Sequence, residues 1–124
     1  MKPKQLKMMI FSEKLPQNAS DFEKSKISEL LSSLDESVCE QIAIDISTKC
    51  ESRFLSLKML VEFVKNALIL NAHFLAQKSE IINANLVSKF EEQKILSAYY
   101  FKRELKKLPE WAQKVILGDD ERFG

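Results

Sequence analysis

Apolar residues recur at three- and four-residue intervals over most of this chain, a pattern that predicts helices joined by short polar breaks. The clearest start is Ser20-Asp21-Phe22-Glu23, a Ser-x-x-Glu capping box in which hydroxyl and carboxylate each satisfy a backbone N–H the helix leaves unpaired. Ile27, Leu30, Leu31 and Leu34 follow at helical spacing. The run Ser32-Ser33-Leu34-Asp35 then marks a break, with Asp35 placed to cap a second helix. Its narrow apolar stripe is Val38, Ile42, Ala43, Ile46 and Cys50.

The third helix, over residues 52–78, carries apolar side chains well beyond one stripe. At about 100° per residue, Phe54, Leu57, Leu60, Val61, Phe63, Val64, Ala67, Leu68, Leu70, Phe74 and Leu75 spread over about 200° of its circumference. A helix so widely apolar belongs at the centre of the fold. Lys58, Glu62, Lys65, Asn66, His73 and Gln77 form its one wet edge. Asn71 falls inside the apolar arc, where its amide requires a partner. That partner is either a group of the same chain or the same Asn of a second copy across a two-fold axis.

After a polar joint at 79–85, residues 86–108 show the stripe Val87, Phe90, Ala98, Phe101, Leu105 and Leu108. Ile95, Leu96, Tyr99 and Tyr100 lie off it, so this segment either covers a second face or breaks around 91–94. Pro109 suits the first position of a last helix, with Trp111, Val115 and Ile116 as its apolar face and Gly118 at its end. Residues 1–19, bracketed by Pro3 and Pro16, lack helical periodicity and read as an irregular arm, free or docked through Leu6, Met8, Met9, Ile10 and Phe11. Residues 119–124 read as a frayed tail. The predicted fold is all-α: a compact bundle of four to five helices over residues 20–118, packed around the central hydrophobic helix.

Composition agrees with that outline. The 124 residues suit one domain, and 45% hydrophobic with 30% charged residues supply both a core and a soluble surface. Two Gly and three Pro leave few tight turns for a hairpin-rich sheet. The net charge is +1, which excludes a uniform field drawing the whole molecule onto nucleic acid or membrane. The charge is nevertheless polarised, with four Lys against one Glu in residues 1–20 and eight acids against three Lys in residues 21–51.

Cys39 and Cys50 fall on one predicted helix about 16 Å apart, too far for a mutual disulfide. They read as buried free thiols in a reducing compartment. The N-terminal apolar run, residues 8–11, is short of a secretory core of about 7–15 residues. Residues 61–76 contain Glu62 and Lys65, so no membrane span is expected and the expected location is cytoplasmic.

The sequence holds no glycine-rich phosphate loop, no Gly-x-Ser-x-Gly elbow and no His-containing metal motif, so neither a cofactor nor catalysis is expected. His73, the single imidazole, shares an edge with Glu62 and Asn66 and reads as a solvent-facing residue. Two surfaces carry binding chemistry. One is acidic and holds Glu29, Asp35, Glu36, Glu40 and Asp45; the other, on residues 99–107, mixes Tyr99 and Tyr100 with Lys102, Arg103, Lys106 and Lys107. Tyr and Arg are enriched at the energetic centres of protein interfaces, while cations with aromatics also suit phosphates and unstacked bases.

The expected function is therefore a non-enzymatic protein–protein interaction protein: a regulatory adaptor, inhibitor or small subunit docking on a larger protein. The alternative is a nucleic-acid-binding regulator using the aromatic-basic face at residues 100–107, aided by Lys2, Lys4 and Lys7. A two-fold homodimer is expected to cover apolar surface left over at Leu96, Tyr99 and Tyr100.

Overall fold

The computed structural model describes residues 1–78 and 86–118, with backbone alone for 86–90. It is all-helical, with six α-helices and no strand among the described residues. The order is α1 (Pro3–Met9), a π-helical turn (Ile10–Lys14), α2 (Asp21–Ser32), α3 (Glu36–Lys49), α4 (Leu57–Lys78), α5 (Leu86–Leu105) and α6 (Glu110–Leu117).

The four or five helices expected become six because residues 1–19 are not an irregular arm. Pro3 occupies the first turn of α1, where its missing N–H costs nothing, and Lys2 N–H donates to Gln5 Oε1 at 2.9 Å. Leu6 and Ile10, one turn apart, have no exposed surface and belong to the core. The helical run stops at Leu15, whose extended backbone is the conformation a following proline imposes. Leu55 N–H donates to the Lys14 carbonyl at 2.8 Å, and the Met1 amine pairs with Glu40 at 2.6 Å, so both ends of the segment are fastened to the body.

Ser20 caps α2 through one half of its motif, accepting from the Glu23 N–H at 3.1 Å. Ile27, Leu30 and Leu31 are buried, as are Val38, Ile42, Ile46 and Cys50 along α3. Asp35 stands at the N-cap of α3, yet its carboxylate makes no capping bond and turns to Lys107 at 3.8 Å.

The central helix α4 begins five residues later than the apolar pattern suggests. Ser56 Oγ accepts from Met59 N–H at 3.1 Å and fixes the start, which leaves Phe54 outside the helix and 60% exposed. Leu60, Val61, Phe63, Val64, Ala67 and Leu68 are buried, and α4 packs chiefly against α5 and α3. Ser37 lies beside Asn71 and Lys49 over the Phe63 ring, so α3 runs antiparallel to α4 and begins level with Asn71. Leu70 and Phe74, expected in the core, border an open cleft with Ser37 and Gln41 of α3 and are 53% and 56% exposed. α4 is long and apolar enough to cross a bilayer by length and composition, and 44% of its apolar window is buried inside the bundle.

α5 is one unbroken helix, with no interruption at 91–94. Phe101 is half-buried and Leu105 and Leu108 are buried, whereas Ala98, placed on the stripe by sequence, is exposed. Pro109 stands at the N-cap of α6, one position before the first helical place expected for it, without a side-chain capping bond; Ala112 and Ile116 are buried, and Gly118 ends the helix at φ +79°, the left-handed backbone that favours glycine. The joint at 79–85 and the tail at 119–124 lie outside the described residues.

Candidate functional site

The outward side of α5 presents Ile95, Tyr99, Lys102, Arg103 and Lys106, which recur at helical intervals on one face. Ile95 is 66% and Tyr99 57% exposed. The face grades from apolar to cationic along the helix. Tyr99 meets Tyr100 edge-on, with ring centroids 5.3 Å apart, and the Arg103 guanidinium lies 4.7 Å above the Tyr100 ring. Stacking of this kind holds the guanidinium in place without neutralising it.

The cations differ in their engagement. Glu104, interleaved among them in sequence, is buried and accepts from Arg103 at 3.1 Å and Lys107 at 2.9 Å. Burial raises the Glu104 carboxyl, but the two cationic donors outweigh it and hold the group below its ordinary range. Lys107 also reaches Asp35 at 3.8 Å. Lys102 and Lys106 form no ion pair among the described residues. Of the four basic residues on this segment, two are therefore partly spent on internal structure and two face solvent.

The five acidic residues are not brought together as one free surface. Asp45 is buried in α3 and accepts from Gln41 Nε2 at 3.3 Å, a correction to its placement on an exposed acidic face. Glu29 on α2 accepts from the Trp111 indole at 2.8 Å and so joins α6 to α2. Asp35 faces Lys107, and Glu40 holds the N-terminal amine. Glu36 is exposed beside a cleft under α1.

His73 and Ser97 form a polar pair between α4 and α5, Nδ1 to Oγ 3.0 Å, over a cavity of about 190 Å³ lined also by Gln77 and Gln93. A nucleophile–base pair needs a third group to orient the base and donors to hold an oxyanion. The remaining cavity lining is a Lys and two amide side chains, and Glu62 and Asn66, which share His73's edge, do not line it. Among the described residues no three of His, Cys, Asp and Glu approach closely enough to hold a metal ion.

The chain matches no family model, and no curated protein or solved structure resembles it closely enough to carry an argument. Function must be argued from the molecule itself.

Periodicity missed two features. The burial of Glu104 had one signal, the Lys three residues later that now pairs with it. The other is a cleft of about 290 Å³ between α3 and α4, bordered by Leu70 and Phe74, with Ser37 Oγ donating to Asn71 Oδ1 at 3.4 Å in its wall. Asn71 is thus half-buried and partnered within the chain.

Proposed function

We propose that this protein is a non-enzymatic interaction module that docks on a larger protein through the outer face of α5. The observation that carries this reading is the juxtaposition of exposed Ile95 and Tyr99 with Lys102, Arg103 and Lys106 on one helix. An apolar centre with a cationic rim fits a partner that offers a hydrophobic pocket flanked by carboxylates. The acidic residues contribute less, since Asp45 is buried and Glu29, Asp35 and Glu40 already hold internal partners. A regulatory adaptor, inhibitor or small subunit acting in the cytoplasm would use such a face.

The test is co-purification from host lysate with nuclease present, comparing the native protein with Tyr99→Asp and Lys102→Glu. A partner retained by the native protein and by Glu36→Lys, but lost from both α5 variants, supports the reading. A partner lost equally from all three variants overturns it.

The nucleic-acid reading rests on the same helix and is separable by salt. With Lys102 and Lys106 as the unpaired cations, about two phosphates would be neutralised, giving a log–log salt slope of about −1.4 on a single strand. Titration of a labelled single-stranded oligonucleotide measures this slope. Saturable binding with that slope, abolished by Lys102→Glu, would favour nucleic acid over protein as the partner.

A further inference from the structure

A further concavity lies away from the α5 face, beneath α1, with a volume of about 520 Å³. That is within the size of small-molecule sites, about 300–1,000 Å³. Lys2, Pro3, Lys4 and Lys7 line the concavity from the α1 side, and Ser28, Leu31 and Ser32 from α2. Glu36 closes the end and is the single carboxylate in the lining.

Some cations of this molecule have carboxylate partners, while others, such as Lys102 and Lys106, stand unpaired among the described residues on an open helix face. Arg103 and Lys107 share Glu104, Lys114 faces Glu110 and the N-terminal amine faces Glu40. Lys2 and Lys4 form no ion pair among the described residues, and Lys7 has only the Phe11 ring, 5.6 Å from its Nζ. Three ammonium groups against one carboxylate leave the cleft with an excess of two positive charges. Like charges gathered at a concave wall focus a field into it and draw in an anion. The Ser28 hydroxyl makes no hydrogen bond among the described residues and stands ready to donate.

We infer that the cleft beneath α1 is a binding site for a small phosphate monoester, held by Lys2, Lys4 and Lys7. Lysine binds phosphate as a point charge, and a monoester near neutral pH carries about −1.5 to −2, which matches the excess. The Ser28 hydroxyl donates to a phosphate oxygen. Pro3 and Leu31 supply apolar wall for the organic part, and Glu36 offers an acceptor to its hydroxyl groups.

Calorimetric titration of the full chain at constant ionic strength tests the site. The probes are adenosine 5′-monophosphate and glucose 6-phosphate, with adenosine, glucose and inorganic phosphate as comparators. The expected result is a saturable 1:1 isotherm with at least one ester, none with adenosine or glucose, and inorganic phosphate weaker by about tenfold. Which ester binds distinguishes a nucleotide from a sugar phosphate. Lys4→Glu should weaken the ester at least about tenfold while Lys102→Glu, on the α5 face, leaves it unchanged. If Lys4→Glu fails to fold by circular dichroism, the double variant Lys2→Ala/Lys7→Ala decides by the same criterion. Failure of both esters to saturate below about 5 mM, or equal affinity for inorganic phosphate, would overturn the assignment. So would a folded variant of unchanged affinity. None of these outcomes bears on the α5 face.

Discussion

Glu104 and Lys107, one turn apart at the end of α5, are joined by a 2.9 Å ion pair in which the carboxylate is buried and the ammonium nearly half exposed. Lys107 also faces Asp35 at the start of α3, so a single lysine ties the last turn of α5 to the α2–α3 junction. The aromatic-basic segment is thus partly a structural joint.

That joint predicts an acid-sensitive fold. The Glu104 carboxyl is held below its ordinary value of about 4.3, so its contribution is complete above the unfolded value and is lost as pH falls through the folded one. Urea unfolding between about pH 6 and pH 2 should show stability declining in that window, with the decline reduced in Glu104→Ala. At neutral pH that variant should lose about 1–3 kcal/mol, the worth of charge-assisted hydrogen bonds to a buried group. A variant as stable as the native protein at neutral pH would show that the joint contributes nothing.

Leu68 and Leu70 are two residues apart on α4 but should respond differently to truncation. Leu68 is 2% exposed, and Leu68→Ala should cost about 2–5 kcal/mol. Leu70 is 53% exposed, and Leu70→Ala should stay within about 1 kcal/mol. Equal losses in chemical denaturation would mean that the α3–α4 cleft is closed in solution.

These two leucines also show how far the sequence could be read. Periodicity located α2 through α6 because each offers three or more turns of apolar recurrence or a cap such as Ser20 or Gly118. A helical wheel records direction but not how closely a neighbour packs, so it could not know that Leu70 and Phe74 border an open cleft against α3 and stay exposed. The α1 segment was illegible for a different reason. Two turns offer only Leu6 and Ile10 as a buried pair, while Met8 beside them is 63% exposed and blurs the stripe. At the α5 face, the residues on the surface were legible from spacing, but their pairing was not. The burial of Asp45 and Glu104 depends on partners the chain pattern does not rank.

The docked N-terminal segment gives a direct test. Leu6→Ala or Ile10→Ala should each cost about 2–5 kcal/mol, since both side chains are fully buried. Limited proteolysis of the native protein should spare residues 3–14, whereas a free arm would be cut first. Rapid cleavage there, with the remainder intact, would detach α1 from the core.

Both cysteines are buried, and burial pushes the Cys39 thiol up to about 11. A thiol reagent at pH 8 should therefore modify neither residue in the folded protein and both in urea. Because the folded value lies above the unfolded one, the Cys39 contribution is complete below about pH 8.5 and is lost as pH rises toward 11. Fast modification of the folded protein would show an opening near the α3 core that the packing does not contain.

On the α5 face, folding and binding should separate. Ile95 and Tyr99 are mostly exposed, so Ile95→Ala and Tyr99→Ala should each change stability by less than about 1 kcal/mol. An aromatic anchor at the centre of an interface is worth about 2 kcal/mol or more, so Tyr99→Ala should lower affinity for the partner about 30-fold. Lys102→Glu should act mainly on the association rate and its salt dependence, because a rim charge steers encounter more than it holds the complex. The same variants examine self-association. If a second copy of this chain covers the face, sedimentation equilibrium of the native protein should show a mass above 14.3 kDa that rises with concentration, and Tyr99→Ala should return it to the monomer. A mass constant at 14.3 kDa leaves the face to a different protein, and stability loss in Tyr99→Ala larger than affinity loss would return the tyrosine to a structural role.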